Sequence, residues 1–275
     1  MNFDGDQIII SPMLKRISIV LAVFNCEKTI ARALQSIDVV FADIAESVEV
    51  IIQDGASSDK TLSIIEKIPH VINWKMFSEQ DKGIYDAWNK ALRHAQGEWI
   101  LFFGGDDQYL LCDIKKIVSI LDAHEYLDFI VCPVRVETVE GDILVSRNKN
   151  QIIKESSFHM SLPHPSTFHN RRLFEEFGGF DTSYRIAGDY EFFARVITHR
   201  KEIACIASDP LVFFSSGGVS SSPKLSLLRL KELMRIRRFY KLSGITRYDV
   251  KILLNWLLYK VFGDKLRDSL LRMIK

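Results

Sequence analysis

The sequence lacks the glycine-rich and nucleophile motifs that mark several large classes of α/β enzyme. It has no G-x-G-x-x-G fingerprint and no G-x-x-x-x-G-K-[ST] loop, which excludes the usual dinucleotide cleft and the P-loop. It also has no G-x-S-x-G elbow, which excludes a standard α/β-hydrolase. Any phosphate group that this protein binds would therefore have to be held without a glycine-rich loop.

Cysteine is scarce, and long apolar runs are missing. The four cysteines are scattered and form no C-x-x-C pair, which is typical of reduced thiols and argues against a disulfide framework or a zinc site. No apolar run approaches the roughly 20 residues that cross a bilayer. Met1–Asp6 is acidic where a secretory signal would be basic. We therefore expect a cytoplasmic protein, with peripheral contact at the inner face of the membrane left open.

Charge is balanced overall but not along the chain. The 275 residues carry a net charge of +1 and are 47% hydrophobic, a composition that suits one large domain with an appendage. Residues 221–275, however, contain 14 Lys and Arg against 4 Asp and Glu. We therefore expect a main domain over residues 1–222 and a basic, amphipathic helical tail over residues 223–275 that has an anionic partner.

Periodicity in the first 110 residues predicts alternating strands and helices. Short apolar runs have the length of buried strands, and the segments between them have helical spacing. Such alternation predicts a parallel sheet with right-handed crossovers. The predicted strands are Ile17–Phe24, Val48–Gln53, Val71–Phe77 and Glu98–Phe103, and the predicted helices are Glu27–Val40 with Asn25 as its N-cap, Lys60–Ile68 and Gly83–Ala95.

Strict alternation is lost after residue 110. Gln151–Pro165 is predicted to be a loop or lid, and Ser215–Ser222 is a small, polar, flexible segment. The remaining predicted helices are Leu111–His124, Arg171–Phe177, Tyr190–His199, Lys224–Leu242 and Arg247–Phe262, and the remaining predicted strands are Leu127–Val136, Asp142–Val145, Ile203–Ala207 and Leu211–Phe214.

Acidic residues follow three of the predicted strands. Asp54 and Asp81 each come just after a strand, and Asp106 and Asp107 follow the apolar run that ends at Phe103. Parallel strands end at one edge of the sheet, where ligands bind in open α/β folds, so these acids should converge there. Adjacent carboxylates are hard to ionise together, and a divalent cation that also holds a diphosphate would relieve the repulsion. A solvated Gly-Gly-Asp-Asp turn is the alternative.

The motifs around these acids, taken together and in order, resemble those of family 2 glycosyltransferases with the GT-A fold. Each motif is loose alone, but their order and spacing are specific, and the resemblance covers about residues 15–220. It implies an α/β, Rossmann-like fold with a mostly parallel central sheet, a nucleotide-sugar half over about 15–110 and an acceptor half over about 111–222. The motifs are Ile17–Asn25, Gln53–Asp59, Ser78–Lys90, Gly97–Asp107, Pro163–Phe168, Gly178–Asp181 and Ala187–Phe192.

The resemblance also implies an inverting transfer from a nucleotide diphosphate sugar, with a UDP-sugar favoured, to a hydroxyl of a glycan or lipid-linked acceptor. Asp54 matches the nucleobase-binding acid, Asp81 a second position of the nucleoside pocket, and Asp106 the acid near the ribose. Asp107 matches the ligand of Mg²⁺ or Mn²⁺ across the two phosphates, where the ion offsets charge on the leaving diphosphate. Asp189 matches the general base that removes the proton of the attacking hydroxyl.

Some assignments near the acceptor stay open. The alternative for Asp189 is a simple helix N-cap, and Glu191 is the second candidate for the base. His164, between two prolines, is either a contact to the diphosphate or the acceptor, or a surface histidine. Tyr85 lies beside the predicted pocket, and we expect it to pack its helix.

Basic and apolar side chains share the predicted tail helices over residues 224–275. A basic amphipathic helix can lie on an anionic membrane surface, which would bring the enzyme to a lipid-linked acceptor. The alternative is that both helices pack on the catalytic domain or on a partner subunit. Nucleic acid is not expected as a partner, because no recognition fold accompanies the basic residues.

The expected function is that of a metal-dependent glycosyltransferase in polysaccharide or glycolipid biosynthesis. One alternative is a sugar-nucleotide-binding scaffold that has lost turnover, which the intact Asp107 and Asp189 disfavour. The other is a sugar nucleotidyltransferase, for which Asn25–Lys28 does not supply the glycine-rich basic loop. Gln53 and Gly104-Gly105 replace residues more usual in the family, so the donor sugar stays open.

Overall fold

A computed structural model describes residues 16–138, 141–200, 202–206, 209–214 and 222–273, with side chains described up to residue 263. Residues 215–221 of the predicted flexible segment Ser215–Ser222 lie outside the described residues.

The described residues form two sheets flanked by helices. The strands are β1 Ile17–Val23, β2 Val48–Asp54, β3 Asn73–Ser78, β4 Trp99–Gly104, β5 Gln108–Tyr109, β6 Phe129–Val131, β7 Val134–Val136, β8 Ile143–Val145, β9 Thr167–Asn170, β10 Ile203–Cys205 and β11 Val212–Phe214. The helices are α1 Ile30–Phe41, α2 Thr61–Ile65, α3 Ile84–Leu92, α4 Ile114–Ala123, α5 Lys149–Ser156, α6 Arg172–Phe177, α7 Gly188–Ile197, α8 Ser226–Phe239 and α9 Arg247–Met273.

The larger sheet has seven strands in the order β10-β6-β9-β4-β1-β2-β3. Strand β1 pairs in parallel with β2 and β4, and β2 pairs in parallel with β3, as the alternation predicts. Strand β9 is inserted antiparallel between β4 and β6. The smaller sheet has the order β5-β11-β7-β8. The expected α/β fold with a mostly parallel central sheet is confirmed.

Apolar side chains on both faces of the central sheet hold the helices in place. Within β1, Ile19 and Leu21 face a cluster that includes residues of α1 and α4. Val20, between them, faces the opposite cluster, which includes residues of α3, α7 and α8. This alternation follows from the two-residue period of a strand. Helices α3, α7 and α8 therefore share one apolar cluster, and the site described below is built on them.

One buried charge within the sheet is satisfied by three donors. Glu49 of β2 is fully buried and accepts hydrogen bonds from Ser18 Oγ at 2.7 Å, Lys75 Nζ at 2.8 Å and the Gln96 N–H at 2.6 Å. Burial alone would raise the pKa of Glu49, but these donors bring it below its ordinary value. The Glu49 carboxylate therefore joins β1, β2 and β3 to the segment between α3 and β4.

Two predictions in the second half are wrong. Gln151–Pro165, predicted to be a loop, begins inside α5, because Asn148 and Gln151 form a reciprocal capping box that starts this helix. Leu127–Val136, predicted to be one strand, divides into β6 and β7, which belong to different sheets. Pro133 lies between them, and a proline has no N–H to continue a ladder.

The helices beyond residue 222 begin with one that is packed into the body of the protein. Leu230, Leu233 and Ile236 of α8 are buried in the cluster that contains α7. A buried ion pair joins α8 to α9, with Arg237 Nη2 lying 2.8 Å from Asp249 Oδ1. The same arginine donates to the Phe158 carbonyl at 3.0 Å. The sequence left open whether these helices contact a membrane or pack on the catalytic domain. One face of α8 packs on that domain.

Candidate active site

The carboxyl ends of β1, β2 and β4 lie level with one another. Val23 of β1 pairs with Asp54 of β2, and the preceding Ala22 pairs with Gly104 of β4. The segments that carry Asp54 and Asp107 therefore leave the sheet on either side of β1. This is the edge at which open parallel sheets bind ligands.

Asp54 is fully buried at this edge, and its neighbours determine the orientation of its carboxylate. Ser57 donates to it twice, from its N–H to Oδ2 at 3.0 Å and from its hydroxyl to Oδ1 at 2.5 Å. The Ser78 hydroxyl donates to Oδ2 at 2.7 Å. The buried charge is thus hydrogen-bonded, as burial requires, and it links the ends of β2 and β3.

Asp81 lies against Gly55, the residue that follows Asp54. A Cβ at Gly55 would stand 2.4 Å from Asp81 Oδ2, so any larger residue here would displace the Asp81 carboxylate. The second oxygen of Asp81 accepts from the Gly83 N–H at 2.8 Å. The structure therefore brings these two sequence-predicted acids together.

Asn25 joins the segment after β1 to the segment after β2. Its N–H donates to Ser57 Oγ at 2.8 Å, and its Oδ1 accepts from the Ser58 N–H at 2.9 Å. It has a φ of +50°, a conformation that asparagine tolerates better than most residues. The prediction that Asn25 is the N-cap of the first helix is wrong, because that helix begins at Ile30.

Asp106 and Asp107 follow the Gly104-Gly105 step at the end of β4. A Cβ at Gly105 would stand 2.9 Å from Cys26 Sγ, so this glycine lets the acidic segment lie against the segment after β1. Asp107 Oδ2 accepts from the Gly104 N–H at 3.2 Å. Burial, and then the charge of Asp106, raises the pKa of Asp107 to about 7. A cation would relieve both effects.

The donor set at this position suits a shared metal ion rather than a complete protein cage. The described residues include no group of three or more His, Cys, Asp or Glu side chains that could hold a metal ion. Mg²⁺ in phosphoryl and nucleotide sites usually takes only one or two carboxylates, with the rest of its ligands from phosphates and water. Asp106 and Asp107 supply such a pair, so the residues present fit a cation held jointly with a diphosphate.

Asp189 lies in the first turn of α7, partly buried. Its Oδ1 accepts from the Tyr190 N–H at 2.8 Å and lies 3.2 Å from the Tyr85 hydroxyl, whose one hydrogen it shares with the Ile186 carbonyl at 2.7 Å. Burial raises the pKa of Asp189 to about 6, a value suited to a base near neutral pH. The alternative that Asp189 is the N-cap is wrong, because Ala187 occupies that position.

Tyr85 connects Asp189 to the carboxyl edge of the parallel strands. It lies in the first turn of α3, directly after the segment that carries Asp81. Its ring packs against Gly188, where a Cβ would stand 2.8 Å from the ring carbons. Tyr85 was expected only to pack its helix, and its hydroxyl contact to Asp189 gives it a further role that nothing in the sequence signalled.

Glu191, the second candidate for the base, is bound by two side chains of the protein. Its carboxylate is buried and forms an ion pair with Arg195 at 2.7 Å. It also accepts from the Tyr240 hydroxyl at 2.6 Å. A carboxylate with these two partners is poorly placed to accept a proton from a substrate, so the geometry favours Asp189 over Glu191 as the base.

A cavity of about 240 Å³ opens beside Asp189. Besides the start of α7, its lining includes Arg229 and Leu233 of α8, Tyr248 of α9 and His159. Helices α8 and α9 therefore form part of the wall around the candidate base. The predicted main domain ended before both of these helices.

His164 lies in an aromatic cluster. Its ring is stacked on Phe102 at 5.0 Å and lies 5.0 Å from Trp88, between ring centroids. Burial, and then the neighbouring His169, lowers its pKa well below the ordinary value, which favours the neutral ring. The surface-histidine alternative is wrong, since His164 is buried. Its predicted contact to the diphosphate or acceptor stays a prediction.

Comparison with known proteins shows the family and the fold of this chain. The family model described as "Glycosyl transferase family 2" matches residues 18–187. The chain belongs to this family. It is 25% identical over 190 residues to a "PGL/p-HBAD biosynthesis glycosyltransferase" of Mycobacterium bovis, covering 66% of this chain and 70% of that protein. An uncharacterised glycosyltransferase of Mycobacterium tuberculosis is 27% identical over 208 residues, covering 72% of this chain and 75% of that protein.

Solved glycosyltransferase structures share the fold of this family 2 member. The structure of S. aureus TarS 1-349 in complex with UDP-GlcNAc has a TM-score of 0.67 at 20% identity, covering 90% of this chain and 73% of that one. A mannosyltransferase from Pyrobaculum calidifontis, in complex with GDP-Man and Mn²⁺, has a TM-score of 0.55 at 16% identity, covering 94% of this chain and 79% of that one. The GT-A fold predicted from the sequence is confirmed.

Proposed function

We propose that this family 2 glycosyltransferase moves a sugar, with inversion, from a nucleotide diphosphate sugar to a hydroxyl of a glycan or lipid-linked acceptor. The single observation that carries the proposal is the contact of 3.2 Å between the Tyr85 hydroxyl and Asp189 Oδ1. It connects the helix that follows the donor-side Asp81 to a carboxylate with a pKa of about 6.

In the proposed reaction Asp189 accepts the proton of the acceptor hydroxyl. The hydroxyl oxygen forms a bond to the anomeric carbon as the bond from that carbon to the diphosphate oxygen breaks. One displacement inverts the anomeric configuration, so one base suffices. Asp54 and Asp81 bind the nucleoside, and Asp106 lies near the ribose.

We further propose that Asp107 holds Mg²⁺ or Mn²⁺ against the diphosphate, and that Asp106, next to it and near the ribose, offers the ion a second carboxylate. When bound, the ion offsets the negative charge that builds on the leaving group. The raised pKa of Asp107 supports this role, because a carboxylate that is costly to ionise alone gains most from a cation. The protein's own part is to keep both carboxylates beside the end of β4.

A thermal-shift screen tests the donor class. We expect a UDP-sugar together with Mn²⁺ to raise the melting temperature more than either alone, because the ion and the diphosphate bind jointly. The nucleotide-sugar complexes of the structural relatives support this choice of probe. Release of UDP in the presence of an acceptor panel reports turnover. Binding without any transfer or donor hydrolysis would indicate a scaffold, and no shift with any nucleotide sugar would overturn the proposal.

We also propose peripheral contact between the C-terminal helices and an anionic membrane. A groove of about 1000 Å³ at the junction of α8 and α9 includes Lys231, Arg238 and Lys241 in its lining. The apolar side chains in the same lining include Phe239, 75% exposed, and Ile245, 78% exposed. Exposed apolar tips among cations suit a headgroup layer. The helices in the described part of the chain include none long and apolar enough to cross a bilayer.

Vesicle flotation of the full chain tests this contact. We expect binding to vesicles that contain phosphatidylglycerol and little binding to pure phosphatidylcholine, because cations near an anionic surface each contribute about 1 kcal/mol. Arg238→Glu with Lys241→Glu should remove most of the binding, since both side chains are exposed. Lys67→Glu with Lys116→Glu, at two exposed lysines outside this groove, is the charge-matched control. Equal binding to both kinds of vesicle, or none, would contradict the proposal.

A further inference from the structure

Glu232 is a buried acid in the middle of a basic helix. It is the single acidic residue of α8, and only 6% of it is exposed. In the part of the chain that the structure describes, no Lys, Arg or His side chain lies within 4.0 Å of its carboxylate as an ion-pair partner. A buried carboxylate without a cation must be stabilised by hydrogen-bond donors, and the identity of those donors shows what the residue does.

The donors are three consecutive backbone N–H groups just before α7. Glu232 Oε1 accepts from the Arg185 N–H at 2.8 Å, and Oε2 accepts from the Ile186 and Ala187 N–H groups, both at 2.9 Å. Hydrogen bonds to a charged acceptor are stronger than those between neutral groups. One side chain of α8 therefore holds the backbone of the segment that leads into Asp189.

The same segment is held from the opposite helix by Tyr85. The Tyr85 hydroxyl lies 2.7 Å from the Ile186 carbonyl oxygen and 3.2 Å from Asp189 Oδ1. Ile186 is thus bonded at its N–H by α8 and at its carbonyl by α3. A segment held on both sides has little freedom to rotate, and Asp189 follows it by two residues.

We infer that Glu232 is a positioning residue for Asp189: its carboxylate holds residues 185–187 so that α8, far along the chain, forms part of the catalytic machinery. The inference rests on the proposed function, because it takes Asp189 as the base. It gives α8 a role in chemistry that is separate from any membrane contact of its exposed face.

The charge of Glu232 also reaches Asp189. Among the causes that set the pKa of Asp189, burial raises it most, and the charge of Glu232 raises it further. The other titratable or charged groups that face Asp189 are Tyr85 of α3, and His159, Arg229 and Tyr248 around the cavity. Replacement of Glu232 by a neutral side chain should therefore lower the pKa of Asp189.

Glu232→Gln tests the inference with little change in volume. The amide oxygen can still accept from Ile186 and Ala187, but the amide nitrogen cannot accept from the Arg185 N–H. We expect kcat to fall by about tenfold, with the KM for the donor within about twofold of wild type. We also expect the acidic limb of the pH profile to move to lower pH, which a merely structural role would not cause. Amide hydrogen exchange over residues 185–187 should become faster.

Asp38→Asn is the matched control. Asp38 of α1 likewise accepts backbone N–H groups from a loop, those of Val71 at 2.9 Å and Ile72 at 3.3 Å, but this loop lies at the opposite end of the sheet, before β3. This variant should lose less thermal stability than Glu232→Gln, because Asp38 is only partly buried, and its pH profile should be unchanged.

The outcomes separate this inference from the proposed function. Suppose that the wild type transfers sugar and that Asp189→Asn is inactive. If Glu232→Gln then matches the wild type in kcat and in pH profile, Glu232 is not a positioning residue. If no donor supports turnover by the wild type, the proposed function fails, and the exchange experiment still decides the structural part. Unchanged exchange over residues 185–187 in Glu232→Gln would overturn it.

Discussion

Asp189→Asn is expected to lower kcat for sugar transfer by about 10²- to 10⁴-fold, the range that a positioned general base contributes. Asparagine keeps the size of the side chain and can still accept from the Tyr190 N–H, but it cannot take up a proton near neutral pH. Affinity for the nucleotide should stay within about twofold, because the nucleoside contacts are assigned to Asp54 and Asp81 at the sheet edge. Steady-state kinetics and nucleotide titration of the same preparations check both parts.

Glu191→Gln is the matched comparison, because Glu191 is the second acid in the same helical turn. Its loss should appear mainly as lower stability, since it pairs with Arg195 and accepts from Tyr240. The assignment of the base would be wrong if Glu191→Gln, at unchanged stability, lost transfer while Asp189→Asn retained it.

The pH dependence of the wild type should follow the same carboxylate. A base must be ionised to accept a proton, so kcat/KM should fall about tenfold per pH unit below the pKa of Asp189, about 6. The residual activity of Asp189→Asn should lack this limb.

Asp107→Asn is the second change with a large expected effect. We expect metal-dependent transfer to fall by about 10²-fold or more, because the ion supplies several kcal/mol of charge stabilisation to the leaving group. The additional thermal shift that Mn²⁺ gives with the donor should disappear. Donor binding without metal should change little.

Asp107→Asn should lower activity, but it should not lower the stability of the metal-free protein. The pKa of Asp107 is raised from 3.8 to about 7, so the folded state holds this proton more tightly than the unfolded chain does. The contribution of Asp107 to stability is therefore lost as the pH rises from about 4 to about 7 in the wild type, and the neutral Asn variant avoids this loss. Metal-free Asp107→Asn should melt at the same or a higher temperature at pH 7.

Asp38→Asn again provides the control, as a carboxylate at the far end of the sheet. Equal metal-dependent activity in Asp107→Asn and Asp38→Asn would contradict the proposed metal role. A metal-free Asp107→Asn that was clearly less stable than the wild type would contradict the electrostatic account of this site.

The first half of the fold was predictable because each of its main strands is one continuous apolar run in the sequence. Each buried run of β1, β2 and β4 is long enough to be recognised alone, and the helices between them have a regular period. Strand β9 was not predicted. It spans only Thr167–Asn170 and exists because β4 and β6 bond to its two edges, and both lie far away in the sequence.

What the sequence by itself determined is the set of acids and the edge at which they meet. Parallel strands must end together, so an acid after each strand, as with Asp54 and Asp107, is placed by local pattern and topology. Only the tertiary structure decided how Asp189 is held. Tyr85 lies 104 residues before it and Glu232 lies 43 residues after it, and no local pattern relates them. Such contacts arise when helices pack on a shared face of the sheet, and the packing of side chains, unlike periodicity, cannot be read from neighbouring residues.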